Sequence, residues 1–356
     1  QEALRTAENI AAALASKTGE RKRMLERTVI VDFGINGAFI TRRWEEPENF
    51  MRLTRECGYE YHEFCADVLD PFFSGDKEYQ FKTAREVKKA AEKYQVKITD
   101  IYTGVATHRF HGLSHSDPSV RQRMRQWIIE AMDIALEMGT DRLGGHWDAI
   151  SVEVLNDPKR YEKALQNIYD QFRQITQIAK EKGIKAIYNE QMYLPSEVPW
   201  TLEQAEEFLI QVNKDNDGVP LYLTIDTGHQ CGHNYGQSAK DRDYLEWIRK
   251  FAGVCEIIHI QQTTPEASHH WGFTEEYNRR GHVSIAAVLE AIAYAHNHFE
   301  EHQYAKYIKP VDKTILIAEI IPSPTKTEEM VLSELKETAQ YLRQYIPEGG
   351  LKITTH

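Results

Sequence analysis

The stretch LYLTIDTGH, residues 221–229, places an apolar run directly before an acidic and a basic side chain. Its first five residues have the composition of a buried β-strand, and Asp226 and His229 follow at the carboxyl end of that strand. A buried carboxylate without a partner costs several kcal/mol, so the sequence should supply one for Asp226. We expect that partner at the ends of neighbouring strands.

Seven further runs of this kind are spaced along the chain. The eight candidate strands are residues 28–34, 59–65, 96–102, 141–147, 184–190, 221–226, 255–261 and 314–319. Amphipathic helical patterns lie between most of them, including residues 120–139 and 161–183, and both of these patterns end in a glycine. Regular alternation of eight strands with helices predicts a (β/α)8 TIM barrel.

A doubly wound open sheet is the alternative that alternation alone permits. Its dinucleotide-binding form carries G-x-G-x-x-G after the first strand, and residues 34–39 lack that spacing. A length of 356 residues permits one large barrel or two domains, and no linker divides the pattern. We therefore predict an α/β protein with an N-terminal helical extension over residues 1–27, a barrel over residues 28–345 and a C-terminal tail over residues 346–356.

The composition restricts the class of partner. A net charge of −11 argues against a nucleic-acid or anionic membrane surface, because both favour clustered Lys and Arg. The four cysteines lie far apart without a C-x-x-C pair, which fits reduced thiols and a cytoplasmic location. We expect a small-molecule substrate, no nucleic acid and no membrane, and a homo-oligomer remains open.

Polar residues at the ends of the last four predicted strands form the candidate active site. In a (β/α)8 barrel the carboxyl ends of the strands surround the site, and here they present Glu190, Asp226, His259 and Glu319. Three carboxylates and one imidazole suit a single divalent cation, Mn²⁺, Mg²⁺ or Co²⁺, better than a structural zinc ion. Such a cation is the predicted partner of Asp226.

The pattern NEQ…DTGH…HIQQ…AEI over these strands resembles the xylose-isomerase-like barrel superfamily of sugar and sugar-phosphate isomerases and epimerases. That superfamily includes ketose 3-epimerases, hydroxypyruvate isomerase and, more distantly, endonuclease IV. The resemblance extends over residues 28–345, and its specific motifs lie in the last four strands. It implies one bound metal, with Mn²⁺ the first expectation, and four ligands, which are Glu190, Asp226, His259 and Glu319.

The seventh strand offers two residues for one ligand position. Family epimerases have a His there and hydroxypyruvate isomerases a Gln, whereas this chain has both His259 and Gln261. Counting forward from Gly253 favours His259 as the ligand, which leaves Gln261 as a substrate contact. The resemblance also implies that His229, three residues after Asp226, contacts the substrate.

Glu190 and Glu319 are the predicted catalytic pair. With the metal stabilising an enediolate, one carboxylate removes a proton and the other returns it to the opposite face, which inverts the carbon. Return of the proton to the neighbouring carbon would instead interconvert a ketose and an aldose, so an aldose–ketose isomerase remains an alternative. An endonuclease IV-like phosphodiesterase and a sugar-binding barrel without metal are more distant alternatives.

Earlier strand ends and the long segment of residues 262–284 complete the predicted site. The substrate contacts that we expect in addition to His229 and Gln261 are His108, His146, Trp147, His270 and Arg280. The HIQQTTPEASHHWGFT stretch also resembles tetrulose-phosphate 3-epimerases. Because residues 263–282 carry several basic and hydroxyl groups, we expect them to hold the phosphate of a short ketose phosphate, with a free ketose as the alternative.

Overall fold

A computed structural model describes residues 27–104 and 106–355 of the chain. The strands are β1 (Arg27–Asn36), β2 (Tyr61–Cys65), β3 (Lys97–Tyr102), β4 (Arg142–Gly145), β5 (Ala186–Glu190), β6 (Leu221–Asp226), β7 (Ile257–Ile260), β8 (Lys313–Ala318) and β9 (Leu351–Thr355). Strands β1 to β8 are parallel and pair in chain order, and β1 pairs with both β8 and β2. The sheet is therefore closed, and the predicted (β/α)8 barrel is confirmed.

Helices follow most of the strands and cover the outside of the barrel. They span Pro47–Glu56, Lys77–Tyr94, Pro118–Met138, Val152–Leu155, Pro158–Lys182, Leu202–Asn213, Tyr244–Phe251, Glu275–Arg280, Ile285–Asn297 and Glu328–Arg343. Short 3-10 helices span Gly37–Ile40, Ala66–Val68, Thr107–Arg109, His233–Tyr235, Ala252–Val254, Phe299–Glu301 and Gln303–Lys306.

Local sequence explains the bounds of the two helices that the glycine-terminated patterns predicted. Asp117 and Asp157 cap their first turns by accepting backbone N–H bonds, and a proline follows each cap. Gly139 and Gly183 end them with φ angles of 86° and 95°, a left-handed conformation that glycine adopts without steric cost.

Strands β5 and β6 are buried on both faces, inward by the barrel interior and outward by the helices. All six residues of β6 and all five of β5 are buried. In the sequences of these two strands, apolar residues therefore occur in continuous runs and do not alternate with polar ones, as is usual in parallel sheets. A charged side chain on such a strand therefore needs a hydrogen-bond donor, an opposite charge or a cation inside the barrel.

The chain ends differ from the predicted domain limits. Residues 1–26 of the predicted N-terminal extension lie outside the described residues, and residue 27 already begins β1. The predicted C-terminal tail contains β9, which pairs antiparallel with the first half of β1 from Arg27 to Val31. A domain limit at residue 345 therefore leaves out one strand of the sheet. Its five residues pair with a segment more than 300 positions earlier, so local pattern gives little indication of it.

Within the described residues, no helix combines the length and apolar character needed to cross a membrane.

Candidate metal centre and active site

The barrel brings the four candidate ligands to one end. Glu190 and Asp226 are the last residues of β5 and β6, His259 is the third residue of β7, and Glu319 directly follows β8. Asp226 and His259 are cross-strand partners in the β6–β7 pairing. Parallel strands in register carry their carboxyl-terminal residues to the same rim, which explains why side chains 129 positions apart in sequence meet.

One atom from each of these four residues lies within 4.8 Å of the corresponding atom of the other three. Nδ1 of His259 is 3.1 Å from Oε1 of Glu190, 3.2 Å from Oε2 of Glu319 and 3.9 Å from Oδ2 of Asp226. Glu190, Asp226 and His259 are buried, and Glu319 is partly buried. Three oxygens and one nitrogen converging in this way match the donor set that Mn²⁺ or Mg²⁺ takes from a protein.

The two oxygens of Asp226 are used differently. Oδ1 accepts hydrogen bonds from the backbone N–H of Gly228 at 2.7 Å and from Nε2 of Gln261 at 2.9 Å. Oδ2 is buried and has no hydrogen-bond partner among the described residues. A fully buried carboxylate oxygen without a donor is costly unless a cation faces it, so the arrangement fits a metal ion at this point. Such a cation would explain why the charged side chain of Asp226 lies at the end of the apolar strand β6.

Gln261 supports Asp226 and does not join the group of ligand atoms. Its amide also donates to Ser268, and its oxygen accepts the backbone N–H of His270 at 2.6 Å. A side chain at Gly228 would meet this amide, because an added Cβ there lies 2.3 Å from it. The glycine of the D-x-G motif therefore leaves room for Gln261, and the structure brings His259 rather than Gln261 into the group of candidate ligand atoms.

Burial and neighbouring charges shift the pKa values of two of the carboxylates, Glu319 and Asp226, in opposite directions. Burial raises the pKa of Glu319 to about 8, and the charge of Glu190 adds to this effect. Burial also acts to raise the pKa of Asp226, yet the rings of His229, His270 and His259 lower it to about 2. Although burial disfavours a charged imidazole, the facing carboxylates of Glu319 and Glu63 raise the pKa of His259 well above its usual value. Two groups must therefore lose protons before a cation can bind.

Sequence reasoning missed Glu63, which holds the other side of the His259 ring. Oε1 of Glu63, on β2, lies 2.7 Å from Nε2 of His259 and accepts a second bond from Nδ2 of Asn36 at 2.7 Å. The ring of Tyr102 packs edge-on against His259 with centroids 4.4 Å apart. A Glu within the strand-like run YHEFC was the available sequence signal, because a fully buried carboxylate needs such a partner.

A cavity of about 680 Å³ opens above the metal centre. Four of the seven predicted substrate contacts line it: His108, His146, His229 and His270. Nδ1 of His229 lies 2.8 Å from the backbone oxygen of Gln191, so Nε2 faces the site, 3.7 Å from Oδ2 of Asp226.

The other cavity histidines are held by neighbouring groups. Nδ1 of His108 bonds to the buried Glu197 at 2.7 Å, a partner that sequence reasoning also missed. Nδ1 of His270 lies 3.1 Å from the backbone oxygen of Glu319, and His270 has a positive φ of 53°. Burial lowers the pKa of His146 and of His270, so both rings are neutral at pH 7 and can share a proton with a substrate hydroxyl.

The other three predicted substrate contacts do not line the cavity: Gln261 holds Asp226, and Trp147 and Arg280 are placed elsewhere. Trp147 lies in the hydrophobic core, where its ring packs against Phe172. Arg280 is exposed on the helix Glu275–Arg280, where it pairs with Glu276 and stacks over Trp271. Neither residue lines the cavity. That they contact the substrate stays a prediction, which the lining of this cavity does not support.

The segment that was expected to hold a phosphate contributes little to the cavity. Of residues 263–282 only Ser268 and His270 line it, and Arg279 lies exposed outside it. The cationic side chains that do line the cavity are Arg42, after β1, and Arg109, after β3. Sequence alone did not single these two out, since Arg42 lies in a turn and Arg109 ends the short 3-10 helix Thr107–Arg109, and the direction of both segments depends on the barrel.

Comparison with known proteins identifies the family that this chain resembles. The model of the xylose isomerase-like TIM barrel matches residues 51–313. A D-erythrulose 1-phosphate 3-epimerase of Brucella abortus (strain 2308) is 24% identical over 255 residues, which cover 71% of this chain and 81% of that protein.

Solved structures share the fold at low identity. A Rhodospirillum rubrum ATCC 11170 protein provisionally assigned as a xylose isomerase superposes with a TM-score of 0.74 at 22% identity, covering 88% of this chain and 99% of that one. The D-psicose 3-epimerase of Clostridium cellulolyticum H10, solved with D-tagatose, gives a TM-score of 0.61 at 16% identity, with coverage of 88% and 98%. The family match spans well over half of the sequence, and the chain belongs to the xylose isomerase-like TIM barrel family.

Proposed function

We propose that this protein is a divalent-metal-dependent epimerase of a short ketose or ketose phosphate. The observation that carries the proposal is the convergence of Glu190, Asp226, His259 and Glu319 on one point at the floor of a sugar-sized cavity. The epimerases among its relatives support the coarser class, since an epimerase is an isomerase. The finer statements, on metal dependence and on the proton-transfer steps, are ours.

The four residues would hold one divalent cation, for which Mn²⁺ is the first candidate and Mg²⁺ or Co²⁺ are alternatives. The chemistry that a cation supplies here is the polarisation of a hydroxyketone and the neutralisation of negative charge as the adjacent C–H bond ionises. Within the described residues one such group of ligands is found. A single-ion site suits proton transfer better than the multi-metal phosphodiester cleavage of the endonuclease IV alternative.

Glu190 and Glu319 would carry the proton. Both carboxylates reach within 3.2 Å of the same imidazole nitrogen, from different strands, so they approach the centre from different directions. A planar enediolate lying between them presents one face to each carboxylate. Removal of the proton by one and its return by the other inverts the configuration of the carbon.

The cavity histidines would orient the substrate. His229 has one nitrogen fixed by the backbone of Gln191 and the other directed to the metal centre, so it can hold a substrate oxygen next to the reacting carbon. His146 and His108 line the wall nearby, and in the part of the chain that the structure describes Nε2 of the buried His146 has no hydrogen-bond partner. A substrate hydroxyl would satisfy that nitrogen.

An aldose–ketose isomerase is the second candidate, since the same carboxylates would serve it. One experiment separates the two. The purified protein is incubated with a panel of short ketoses and ketose phosphates and Mn²⁺ in D₂O, and the products are followed by NMR. We expect deuterium at the carbon next to the carbonyl together with the epimeric ketose. Formation of an aldose would favour the isomerase, and absence of exchange with every substrate and metal would refute both.

A further inference from the structure

We propose that Arg42 and Arg109 form an anion subsite at the mouth of the cavity, and that this subsite binds the phosphate of a phosphorylated ketose. The choice of a ketose rests on the proposed function. The anion subsite itself rests on two guanidinium groups that the fold directs to one cavity.

Neither guanidinium is committed to a structural contact. Both residues are exposed, and within the described part of the chain neither side chain has a hydrogen bond, an ion pair or a ring contact. The neighbouring Arg43 shows the contrast, because it donates to the backbone oxygens of Ser323 and Lys326 and so fastens the loop to the segment after β8. Arg42 is thus a free cation on an anchored loop.

The backbone at Arg42 is held in an uncommon conformation. Its φ is 68°, in the left-handed region that residues with a side chain rarely adopt. The flanking turn maintains it, since the hydroxyl of Thr41 donates to the oxygen of Ala38 and the N–H of Arg43 donates to Ile40. Strained residues that neighbouring bonds maintain are concentrated at ligand-binding sites.

The two arginines lie on the part of the rim that the metal centre does not use. The candidate ligands come from β5 to β8, whereas Arg42 follows β1 and Arg109 follows β3, with β2 between them. A substrate held at its reacting carbon by the first group would extend its far end towards the second. Arg is suited to that end, because its planar fork binds phosphate oxygens in pairs.

The positive charge that attracts the phosphate must come from nearby side chains, because the protein as a whole carries a net charge of −11. A phosphate adds about −1.5 to −2 charges at pH 7. Two carboxylates, Glu45 and Asp67, line the same cavity and oppose the anion, so removal of the Glu45 charge by Glu45→Gln should leave phosphate binding unchanged or tighter. Weaker binding in that variant would overturn the assignment.

The test compares two double variants that remove the same charge. R42Q/R109Q alters the proposed subsite, and R279Q/R280Q removes two exposed arginines that lie outside the cavity. The probe is sn-glycerol 3-phosphate, titrated calorimetrically into the full chain both with Mn²⁺ and after removal of divalent ions with EDTA. The probe does not react, so binding is measured independently of turnover.

We expect the dissociation constant to rise about tenfold or more in R42Q/R109Q, with or without metal, and to change by less than about twofold in R279Q/R280Q. Equal affinity in the wild type and R42Q/R109Q, or absence of binding to the wild type, would overturn the subsite. If the arginines bind the probe but no ketose is epimerised, the proposed function fails while the subsite stands.

Kinetics then connects the subsite to the substrate. With a matched pair of phosphorylated and free ketose, R42Q/R109Q should raise KM for the phosphate about tenfold or more and should lower kcat/KM for the phosphorylated ketose by a larger factor than for the free sugar. An equal loss for both sugars would indicate a structural role and would contradict the assignment.

Discussion

Nε2 of His259 lies 2.7 Å from Oε1 of Glu63, while Nδ1 of the same ring faces Glu190 and Glu319. A hydrogen bond from Nε2–H to Glu63 fixes the ring orientation, so that once Nδ1 has lost its proton its lone pair would be directed to the candidate metal centre. A carboxylate behind a ligating imidazole also increases the basicity of the ligand. The orientation of this candidate ligand is therefore set by a residue on β2, a strand that does not pair with β7.

Replacing Glu63 with Gln should weaken metal binding by about 10- to 100-fold, because the charge behind His259 is lost while the shape is kept. The measurement is a calorimetric Mn²⁺ titration. Glu60→Gln is the matched control, since Glu60 is half-exposed and paired with Arg55 on the same segment. An unchanged dissociation constant in Glu63→Gln would show that the ring is positioned without this bond.

Glu190→Gln and Glu319→Gln should each reduce epimerisation by at least about 10²-fold, since each amide removes one proton carrier without creating a cavity. At saturating Mn²⁺, each variant should still exchange the substrate proton of one epimer with D₂O, and the two variants should favour opposite epimers. Retained epimerisation, or loss of exchange for the same epimer in both metal-loaded variants, would argue against transfer between two carboxylates. Circular dichroism and metal content check that fold and loading are intact.

Metal binding should strengthen as pH rises. Because the pKa of Glu319 is raised to about 8, the metal-free folded protein retains a proton that the unfolded chain loses near the usual Glu value. Its contribution to stability is present at low pH and is lost as the pH rises through about 8. The raised pKa of His259 acts in the same direction.

A cation must displace these protons, so the increase in Tm on adding Mn²⁺ should be larger near pH 8.5 than near pH 6. Differential scanning fluorimetry measures it. In Glu319→Gln the dependence on pH should be shallower, and an increase in Tm that is equal at both pH values in the wild type would disagree with this account.

Trp147→Phe should destabilise the fold without changing substrate affinity. The indole is 1% exposed and packs against Phe172, so the smaller ring leaves a cavity that should cost roughly 1.5–3 kcal/mol in the free energy of unfolding. Urea unfolding measures this cost and steady-state kinetics measures KM. A raised KM with unchanged stability would indicate that Trp147 contacts the substrate after all.

Gln261→Leu should lower metal affinity by about tenfold, because Oδ1 of Asp226 loses the amide donor that orients it. Gln262→Leu is a nearby control, since Gln262 bonds to Asn278 and Val283 instead. Equal Mn²⁺ affinity in Gln261→Leu and the wild type would show that the bond from Gly228 suffices to hold Asp226.

The sequence by itself determined the barrel and the position of the four candidate ligands. Eight buried runs that alternate with amphipathic helices predict the fold, because an apolar run and a helical pattern are both set by residues close together in sequence. Capping residues such as Asp117 and Gly139 mark the helix ends. Once the barrel is assumed, parallel pairing requires that the last residues of β5 and β6 share a rim, so Glu190 and Asp226 could be placed together from strand positions alone.

Only the tertiary structure decided which side chains support or surround those ligands. Glu63 and His259 are 196 positions apart and meet because the barrel closes, which no local pattern encodes. Arg42 replaced Arg280 as the candidate anion contact because the direction of a loop side chain depends on turns and anchoring bonds. Strand and helix periods arise from neighbouring residues, whereas the contents of a cavity arise from the packing of distant segments.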